Sequence, residues 1–324
     1  YVGEHPMGPF TYAPNSPVSY KPTGFLGGAG HGCLFQVGDA YWKAVTNSIS
    51  VRHMFERRVS LYPAGFDADG CLFTDTYLGD YPMYLPKAGE KAARPDWMLL
   101  SYRKPVTVSS ALGDYPAENL TDEDARTAWV AHSNQAEWVV MDLEQEADIC
   151  AIQINYDEYG ATWKGRVPDL YQSYRLYASH DGKKWYPIVD KSDKRTDTPH
   201  DYIEFAAPFK ARYIKWENRA YTVSDQVSLR EIRVFGTAEG AKPEPVSTFE
   251  LTANPADACK ATITWTPVEG ADGYIIRAGI APNKLYHTYQ VTDSTHFELT
   301  GLNAGVDYFF AIDAYNGSGV TEGK

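Results

Sequence analysis

Hydrophobic and polar residues alternate over short stretches along almost the whole chain, and helical periodicity is nearly absent. Segments such as "ATITWTP" (261–267) carry apolar side chains at every second position, and Gly, Pro, Asn or Asp bounds them. A period of two is that of a half-buried β-strand, and the bounding residues are typical of turns. The pattern therefore predicts an all-β protein.

The predicted strands fall into three zones that are separated by linker-like sequence. The segments "PKAGEKAARPD" (86–96) and "GTAEGAKPEP" (236–245) are rich in Gly, Pro, Ala and charge, as interdomain linkers are. A chain of 324 residues is also long for a single hydrophobic core. We therefore predict three domains, which span residues 1–98, 99–237 and 238–324.

Composition narrows the range of partners. The chain has 42 Asp and Glu against 30 Lys and Arg, and the net charge of −12 disfavours binding to nucleic acid or to an anionic membrane surface. Aromatic residues make up 14% of the chain and often lie beside turn residues, which suits modules that stack on sugars. No stretch has the length of apolar sequence that a membrane span needs. The cysteines lack CxxC spacing, which predicts isolated, buried thiols: Cys33, Cys71, Cys150 and Cys259.

The third zone predicts a small β-sandwich. Its strand-like segments are "ATITWTP", "GYIIRAG", "HFELTGL" and "DYFFAIDAYN", and Ala261, Ile263 and Trp265 share one face of the first. The early Trp, the "LTGLNAG" turn and the Tyr that opens the penultimate strand resemble a fibronectin type III domain. The resemblance implies a spacer. It also implies that the chain stops at "GVTEGK" where the family still needs its final strand, so that either the chain end is truncated or the sandwich has an open edge.

The second zone contains four strand-like segments in a characteristic order: "AEWVVMDLEQEADICAIQI", "YRLYASHDGKKWYPI", "ARYIKWENRA" and "LREIRVFG". Alternation predicts these core residues: Trp138, Val140, Ile152, Ile154, Leu176, Tyr213, Ile214, Ile232 and Val234. Together with the preceding "PAENLTDEDARTAWV", the segments resemble a discoidin (F5/8 type C) domain, the fold of family 32 carbohydrate-binding modules. The resemblance implies a jelly-roll β-sandwich that binds carbohydrate.

The same resemblance implies a structural calcium ion in the loop before the first Trp. The implied ligands are Leu120 (through its carbonyl), Asp122, Asp124, Thr127 and Glu231. Calcium takes six to eight oxygens, which a polar loop supplies from carboxylates and carbonyls. The family usually has Gly after the first Asp, whereas this chain has Glu123, which leaves the loop geometry open. Read without the family, "LTDEDART" describes a solvated acidic turn equally well.

Sugar recognition in such modules uses aromatic rings at loop tips, with a few hydrogen-bonding side chains beside them. The segments "HSN", "YDEYGATWKGR" and "NRAYTVSD" offer both kinds of residue. The candidates are His132, Asn134, Tyr159, Trp163, Arg166 and Tyr221. They form no diagnostic motif, and packing at the rim of the sandwich explains Tyr159 and Trp163 as well as ligand contact does.

In the first zone, "GAGHGCLFQVGDAYWKAV" (28–45) sets His31 between two glycines, directly before two alternating strands. Glycines let the backbone turn sharply and approach closely, which predicts a buried histidine; alone, the pattern favours a hydrogen-bonded structural role. The order of "MGPF", the glycine-flanked His and an arginine followed by "DADG" resembles the C-terminal blades of a glycoside hydrolase family 43 β-propeller. The resemblance implies that His31 lies on the propeller axis, where it holds calcium or orders water. It also implies that Arg58, or Arg57, lies near substrate.

Family 43 enzymes are inverting, and their two working carboxyl groups stand about 6.5–9.5 Å apart to admit water. Those acids come from earlier blades, so we expect this chain to lack them. The resemblances together imply the C-terminal portion of a secreted, periplasmic or cell-surface glycosidase acting on arabinosyl or xylosyl linkages. The second zone would hold it near a polysaccharide or oligosaccharide, and the rest of the propeller would be its partner. One alternative is a non-catalytic carbohydrate-binding or adhesion protein, and another is a discoidin domain that recognises a protein surface.

Overall fold

In a computed structural model, the chain consists almost entirely of β-strands and turns, and residues 1–28, 30–47, 58–84, 94–162 and 169–323 are described. The all-β prediction is confirmed. The strands form two compact units, one of residues 1–95 with 242–324 and the other of residues 96–241. The structure thus joins the first and third predicted zones in one unit. Nowhere in the described ranges does a helix have the length and hydrophobicity to cross a bilayer.

The N-terminal zone contains a short hairpin and a four-stranded antiparallel meander. The hairpin pairs β1 (Val2–Gly3) with β2 (Phe10–Thr11). The meander runs in chain order through β3 (Gly32–Val37), β4 (Ala40–Asn47), β5 (Arg58–Phe66) and β6 (Leu72–Thr74), and a 3₁₀ helix (Leu78–Asp80) follows it. Gly38 closes the tight β3–β4 turn with a φ of +60°, a conformation that favours glycine.

The two faces of this meander differ in burial. Val45 and Tyr62 lie on one face and are 1% and 0% exposed. Pairing of Cys33 with Ala44 and of Ala44 with Leu61 sets the other face, where alternation also places Val37 and Val59. Those two valines are 52% and 72% exposed, so part of this face is both apolar and accessible.

The unit of residues 96–241 is one eight-stranded antiparallel system. Its strands are β7 (Met98–Leu99), β8 (Val106–Val108), β9 (Trp129–Val130), β10 (Trp138–Tyr156), β11 (Gln172–Ser179), β12 (Tyr186–Asp190), β13 (His200–Tyr221) and β14 (Ser228–Ala238), with a 3₁₀ helix at Ala117–Leu120. Bulges interrupt the pairing of β10 with β13 between residues 142 and 151. The first half of β10 pairs with β8 and its second half with β14, so one strand serves both parts of the sandwich.

Two buried tryptophans lie at the centre of this unit. Trp129 and Trp216 are fully buried, and their rings meet edge to face at 6.3 Å. Six of the nine predicted core residues are buried: Ile152, Ile154, Leu176, Ile214, Ile232 and Val234. Trp138, Val140 and Tyr213 are only half-buried, and in β10 it is Val139 and Met141 that face inward.

The C-terminal zone is a sandwich of a three-stranded and a four-stranded sheet. Its strands are β15 (Phe249–Ala253), β16 (Ala261–Trp265), β17 (Gly273–Gly279), β18 (His287–Thr292), β19 (His296–Leu299), β20 (Phe309–Asn316) and β21 (Gly319–Thr321). Ala261, Ile263 and Trp265 lie in its core, as predicted. The expectation of a missing final strand is wrong, because β21 pairs with β20 through Tyr315 and Val320.

The first and third zones are held together by aromatic and hydrogen-bonded contacts. Tyr286 stacks on Phe73 with ring centroids 4.6 Å apart. The backbone N–H of Gln290 donates to Thr23 Oγ1 at 2.9 Å, and Asn303 Nδ2 donates to the Ser16 carbonyl at 2.5 Å. The C-terminal sandwich therefore packs against the N-terminal zone as part of one compact unit. A spacer, as predicted, would make no such contacts.

An ion-pair cluster joins the "DADG" turn to the same sandwich. Lys284 Nζ lies 3.0 Å from a carboxylate oxygen of Asp67 and 2.7 Å from one of Asp69. Tyr286 Oη donates to Asp67 Oδ2 at 2.8 Å. Partial desolvation works against ionisation of Asp67, but the hydrogen bonds from Tyr286 and Lys284 outweigh it and lower the pKa of Asp67 to about 2. Asp67 and Asp69 are thus engaged in contacts that join the turn to the C-terminal sandwich.

Acid is expected to loosen this composite unit through Asp67. Because its pKa is depressed in the folded state, Asp67 contributes stability above its ordinary pKa, and this contribution is lost as pH falls through about 2. We expect the melting temperature of Asp67→Asn to depend less on pH between 5 and 2 than that of the wild type. Asp39→Asn, in the exposed β3–β4 turn, is the control. Parallel pH profiles for wild type and Asp67→Asn would exclude this role.

The four cysteines are free thiols, as predicted. Cys150 is buried, whereas Cys33 and Cys259 are exposed, so the expectation of burial is wrong for these two. Burial raises the pKa of the Cys150 thiol to about 11, which leaves it protonated at neutral pH.

Candidate carbohydrate-binding and calcium sites

Three loops meet at one end of the unit of residues 96–241. They comprise residues 131–135, 157–162 and 222–227 and are called the end loops below. The backbone N–H of Val227 donates to the Ser133 carbonyl at 3.0 Å, and that of Ala131 donates to the Val227 carbonyl at 3.0 Å. A Cβ atom at Gly160, whose φ is +71°, would lie 3.6 Å from Ser224 Cβ. The end loops therefore form one continuous surface.

Two of the predicted sugar-contacting residues are accessible on this surface. Tyr159 is half-buried, and its ring packs edge to face on Tyr115 at 5.0 Å. The backbone N–H of Tyr159 donates to Ser228 Oγ at 3.2 Å, which ties the loop to the start of β14. His132 is exposed, and its backbone N–H donates to Ser110 Oγ at 3.0 Å. The Tyr159 ring is thus packed on Tyr115, and the His132 side chain is held at the surface by its backbone contact.

Asn134 shapes the surface from inside. Its Nδ2 donates to the Tyr221 carbonyl at 3.3 Å and to the Ser224 carbonyl at 2.9 Å. Its Oδ1 accepts from Gln135 Nε2 at 2.7 Å. Because donors and acceptor are all used within the protein, Asn134 fixes the end loops relative to each other.

The prediction that Tyr221 contacts sugar is wrong, because this residue is 3% exposed. Its ring stacks on Tyr156 at 5.8 Å, and its hydroxyl donates to the Asp157 carbonyl at 2.5 Å. Burial raises the pKa of Tyr221 above its ordinary value. Strict alternation from Trp216 would turn Tyr221 outward, but a bulge in the pairing of β13 with β11 returns Tyr221 to the buried side. Trp163 and Arg166 lie outside the described residues.

The candidate calcium loop (residues 120–127) has a left-handed residue at the position where the family usually has Gly. Glu123 occupies it with a φ of +59°. The carboxylate of Glu123 accepts from Arg233 Nε at 3.0 Å and from Arg233 Nη2 at 2.5 Å, and this ion pair is buried. The ion pair offsets the cost of a left-handed non-glycine residue. The substitution therefore leaves the loop in a backbone conformation that glycine would favour.

Glu231 faces this loop from β14 and is fully buried. Its carboxylate oxygens accept from the Glu123 backbone N–H at 3.3 and 3.4 Å, which are long hydrogen bonds. Burial, reinforced by the charges of Glu123 and Asp122, raises the pKa of Glu231 well above its ordinary value. A buried carboxylate beside other carboxylates is a position that a bound cation would stabilise.

The other predicted calcium ligands differ in the contacts that they make within the protein. Asp122 accepts from Thr127 Oγ1 at 2.7 Å and from the Asp124 backbone N–H at 3.0 Å, and burial raises the pKa of Asp122. Asp124 is held in a two-pronged contact by Arg126 Nε at 2.8 Å and Nη2 at 2.6 Å, which lowers the pKa of Asp124. Leu120 ends the 3₁₀ helix with its side chain buried. Within the described ranges, no three His, Cys, Asp or Glu side chains are grouped to hold a metal ion.

The first-zone predictions fall partly outside the described residues. His31 is exposed, so the expectation of a buried histidine is wrong, while its place on a propeller axis stays a prediction. Arg58 begins β5 opposite Asn47, and the position of its side chain is not among the described features. Arg57 lies outside the described residues.

Sequence reasoning missed Arg230, a buried arginine in β14. The residue is 5% exposed, and its guanidinium donates to the Ala125 carbonyl and, at 2.5 Å, to Asp157 Oδ1. The available signal was a group of charged residues, Arg230, Glu231 and Arg233, inside the strand-like run "VSLREIRVFG". Charged residues are rarely buried unless they are paired, so such a run indicates a built polar site.

Residues 105–232 match the family model of the F5/8 type C domain, and this part of the chain is an F5/8 type C domain. Among solved structures, the chain is similar to CpGH89CBM32-6 produced by Clostridium perfringens, with 26% identity over 43% of this chain and 99% of that one and a TM-score of 0.35. It is similar to the family 32 CBM from C. perfringens NanJ in complex with galactose, with 16% identity over 43% of this chain and 98% of that one and a TM-score of 0.35. It is also similar to chitosan-binding module 2 in complex with chitotriose, from a Paenibacillus sp. IK-5 chitosanase/glucanase. The identity is 20% over 42% of this chain and 99% of that one, and the TM-score is 0.36. A search of curated proteins finds no match.

Proposed function

We propose that the chain binds a polysaccharide or oligosaccharide through the end loops of its F5/8 type C domain. The observation that carries this proposal is the Tyr159 ring, an accessible aromatic side chain that Tyr115 and Ser228 support at the loop end of the sandwich. Aromatic faces stack on the C–H faces of pyranose rings, and nearby polar groups read the hydroxyls. His132 offers such a group, and Trp163 and Arg166 belong to the segment that follows Tyr159.

Replacing Tyr159 by Ala should weaken carbohydrate binding about 30-fold, since a buried aromatic anchor contributes about 2 kcal/mol to an interface. The measurement is affinity electrophoresis of the full chain in gels that contain galactan, chitosan, xylan or arabinan. Tyr186→Ala is the matched control, because Tyr186 is a half-buried tyrosine that pairs with the far end of β11. If Tyr159→Ala is retarded as strongly as wild type, Tyr159 is not the stacking platform.

We further propose that calcium binds in the 120–127 loop. The buried Glu231 carboxylate, the half-buried Asp122 carboxylate, the Thr127 hydroxyl and the Leu120 carbonyl would hold it, and Asp124 would join them only by leaving Arg126. When bound, the ion supplies the positive charge that the buried carboxylates need. The residues themselves set the loop backbone through Glu123 and Arg233, independently of the ion.

A second proposal concerns the N-terminal zone, which we infer to be part of a family 43-type propeller of a secreted glycosidase. Its support is the β3–β6 meander, since one propeller blade is a four-stranded antiparallel sheet, and the exposed Val37 and Val59 suit packing against another sheet. In this proposal, His31 lies toward the propeller axis and Arg58 toward substrate. The inverting carboxylates would belong to other blades.

The test of this second proposal is hydrolysis of aryl xylosides and arabinofuranosides by the protein isolated from its source. The proposal expects turnover, and it expects His31→Ala to lower kcat while the melting temperature stays unchanged. A source protein that binds polysaccharide but hydrolyses neither substrate would favour the non-catalytic adhesion protein instead.

A further inference from the structure

The guanidinium of Arg230 connects the candidate calcium loop with one of the end loops. Its Nη1 donates to the carbonyl of Ala125, and its Nη2 donates to Asp157 Oδ1 at 2.5 Å. The Arg230 and Asp157 side chains are 6% and 10% exposed, so both contacts lie away from water. A buried, charge-assisted contact of this kind transmits a displacement more strongly than a surface pair would.

Asp157 fixes the start of the loop that carries Tyr159. Its backbone N–H donates to the Ser228 carbonyl at 3.0 Å, and its own carbonyl accepts from the Tyr221 hydroxyl at 2.5 Å. The next anchor is Tyr159 itself, whose backbone N–H donates to Ser228 Oγ. The placement of Tyr159 thus depends on groups at the start of β14.

The adjacent residue of β14 faces the calcium loop. Glu231 accepts from the backbone N–H of Glu123, two residues before the Ala125 carbonyl that Arg230 holds. The β10–β14 pairing shifts at this point, which leaves Arg230 as the extra residue of a bulge beside Glu231. Arg230 and Glu231 both reach the 120–127 loop, at the Ala125 carbonyl and at the Glu123 backbone N–H respectively. A change at Glu231 that moves this loop therefore moves the acceptor of Arg230.

We propose that Arg230 is a positioning residue that couples cation binding in the 120–127 loop to the order of the 157–162 loop. The coupling rests on the proposed function for its two sites, and it gives calcium a role in carbohydrate recognition beyond stabilising the fold. By linkage, a cation that orders the Tyr159 loop raises carbohydrate affinity, and bound carbohydrate raises cation affinity by the same factor.

The experiment is amide hydrogen exchange on the full chain with calcium alone as the probe. In wild type, calcium should slow exchange at the Asp157 and Tyr159 amides about five-fold or more, which is the lower end of typical coupling between sites. In Arg230→Lys, the calcium affinity measured by calorimetry should stay within about two-fold of that of the wild type. The calcium-dependent slowing of exchange at these two amides should disappear. A lysine keeps the charge but lacks the fork that reaches both acceptors. Arg219→Lys, at an exposed arginine paired with Glu217, is the matched control and should respond like wild type.

Asp157→Asn provides a second variant should Arg230→Lys fail to fold, because the amide keeps an acceptor for Arg230 and loses the charge. It should show a reduced calcium response at Tyr159. Unchanged slowing in the variant, or no slowing in wild type, overturns the coupling. A failure of polysaccharide binding alongside an Arg230-dependent calcium response would contradict the carbohydrate proposal alone.

Discussion

Chelation of calcium is expected to lower the melting temperature of the F5/8 type C unit by about 5–10 °C in the wild-type chain and to leave Glu231→Gln unaffected. A ligand at one hundred times its Kd stabilises the folded state by about 2.7 kcal/mol, which corresponds to a shift of this size in a unit of about 150 residues. The physical reason is the fully buried Glu231 carboxylate beside Asp122 and Glu123, which a divalent cation would stabilise. The glutamine variant removes the buried negative charge and, with it, the carboxylate that would bind calcium.

Asp124→Asn is the internal control for the chelation experiment. Its carboxylate is held by Arg126, so the variant should keep most of the calcium response. The measurement is calorimetric melting of each protein with calcium and with excess chelator. If chelator destabilises Glu231→Gln as much as wild type, the ion binds elsewhere or not at all.

Removing residues 242–324 is expected to abolish the cooperative unfolding of residues 1–95, while the F5/8 type C unit still melts as one transition. The truncation takes away Tyr286, which stacks on Phe73, and Lys284, which pairs with Asp67. The stacked pair of half-buried rings alone contributes about 0.5–1.5 kcal/mol beyond its area burial, and the truncation also exposes Phe73 to water.

Limited proteolysis of the truncated chain measures this effect, with rapid cleavage inside residues 1–95 as the expected outcome. Tyr286→Ala should produce the same cleavage more slowly, whereas Phe309→Ala, at a position that is 42% exposed, serves as its control. A protease-resistant N-terminal zone in the truncated chain would restore the prediction that the C-terminal sandwich is only a spacer.

Alternation in the sequence predicted the buried residues correctly where only one face of a strand is apolar. Ile152 and Ile154 in β10, and Ile232 and Val234 in β14, alternate with polar residues, and all four are buried as predicted. At the start of β10, "WVVM" is apolar on both faces, and alternation cannot choose between them. In this segment the side chains that face the core lie one residue away from the predicted ones, and they are Val139 and Met141.

The site was harder to predict because its residues are set by long-range contacts. Tyr159 and His132 could be chosen from composition, but Tyr221 in a similar polar segment is a core residue. Glu123 looked like a departure from the calcium-loop pattern, and its partner Arg233 lies more than one hundred residues away in the chain. No local pattern reveals such a pair, so the retained loop conformation could be found only in the structure.

A nuclear magnetic resonance titration would show whether the end loops of the F5/8 type C unit bind carbohydrate. The isotopically labelled full chain would be titrated with oligomers of whichever polysaccharide retards it in gels. We expect the shifted amides to be concentrated in residues 131–135, 157–162 and 222–227. Shifts confined to other surfaces, or a chain that no polysaccharide retards and no sugar shifts, would contradict carbohydrate binding at these loops.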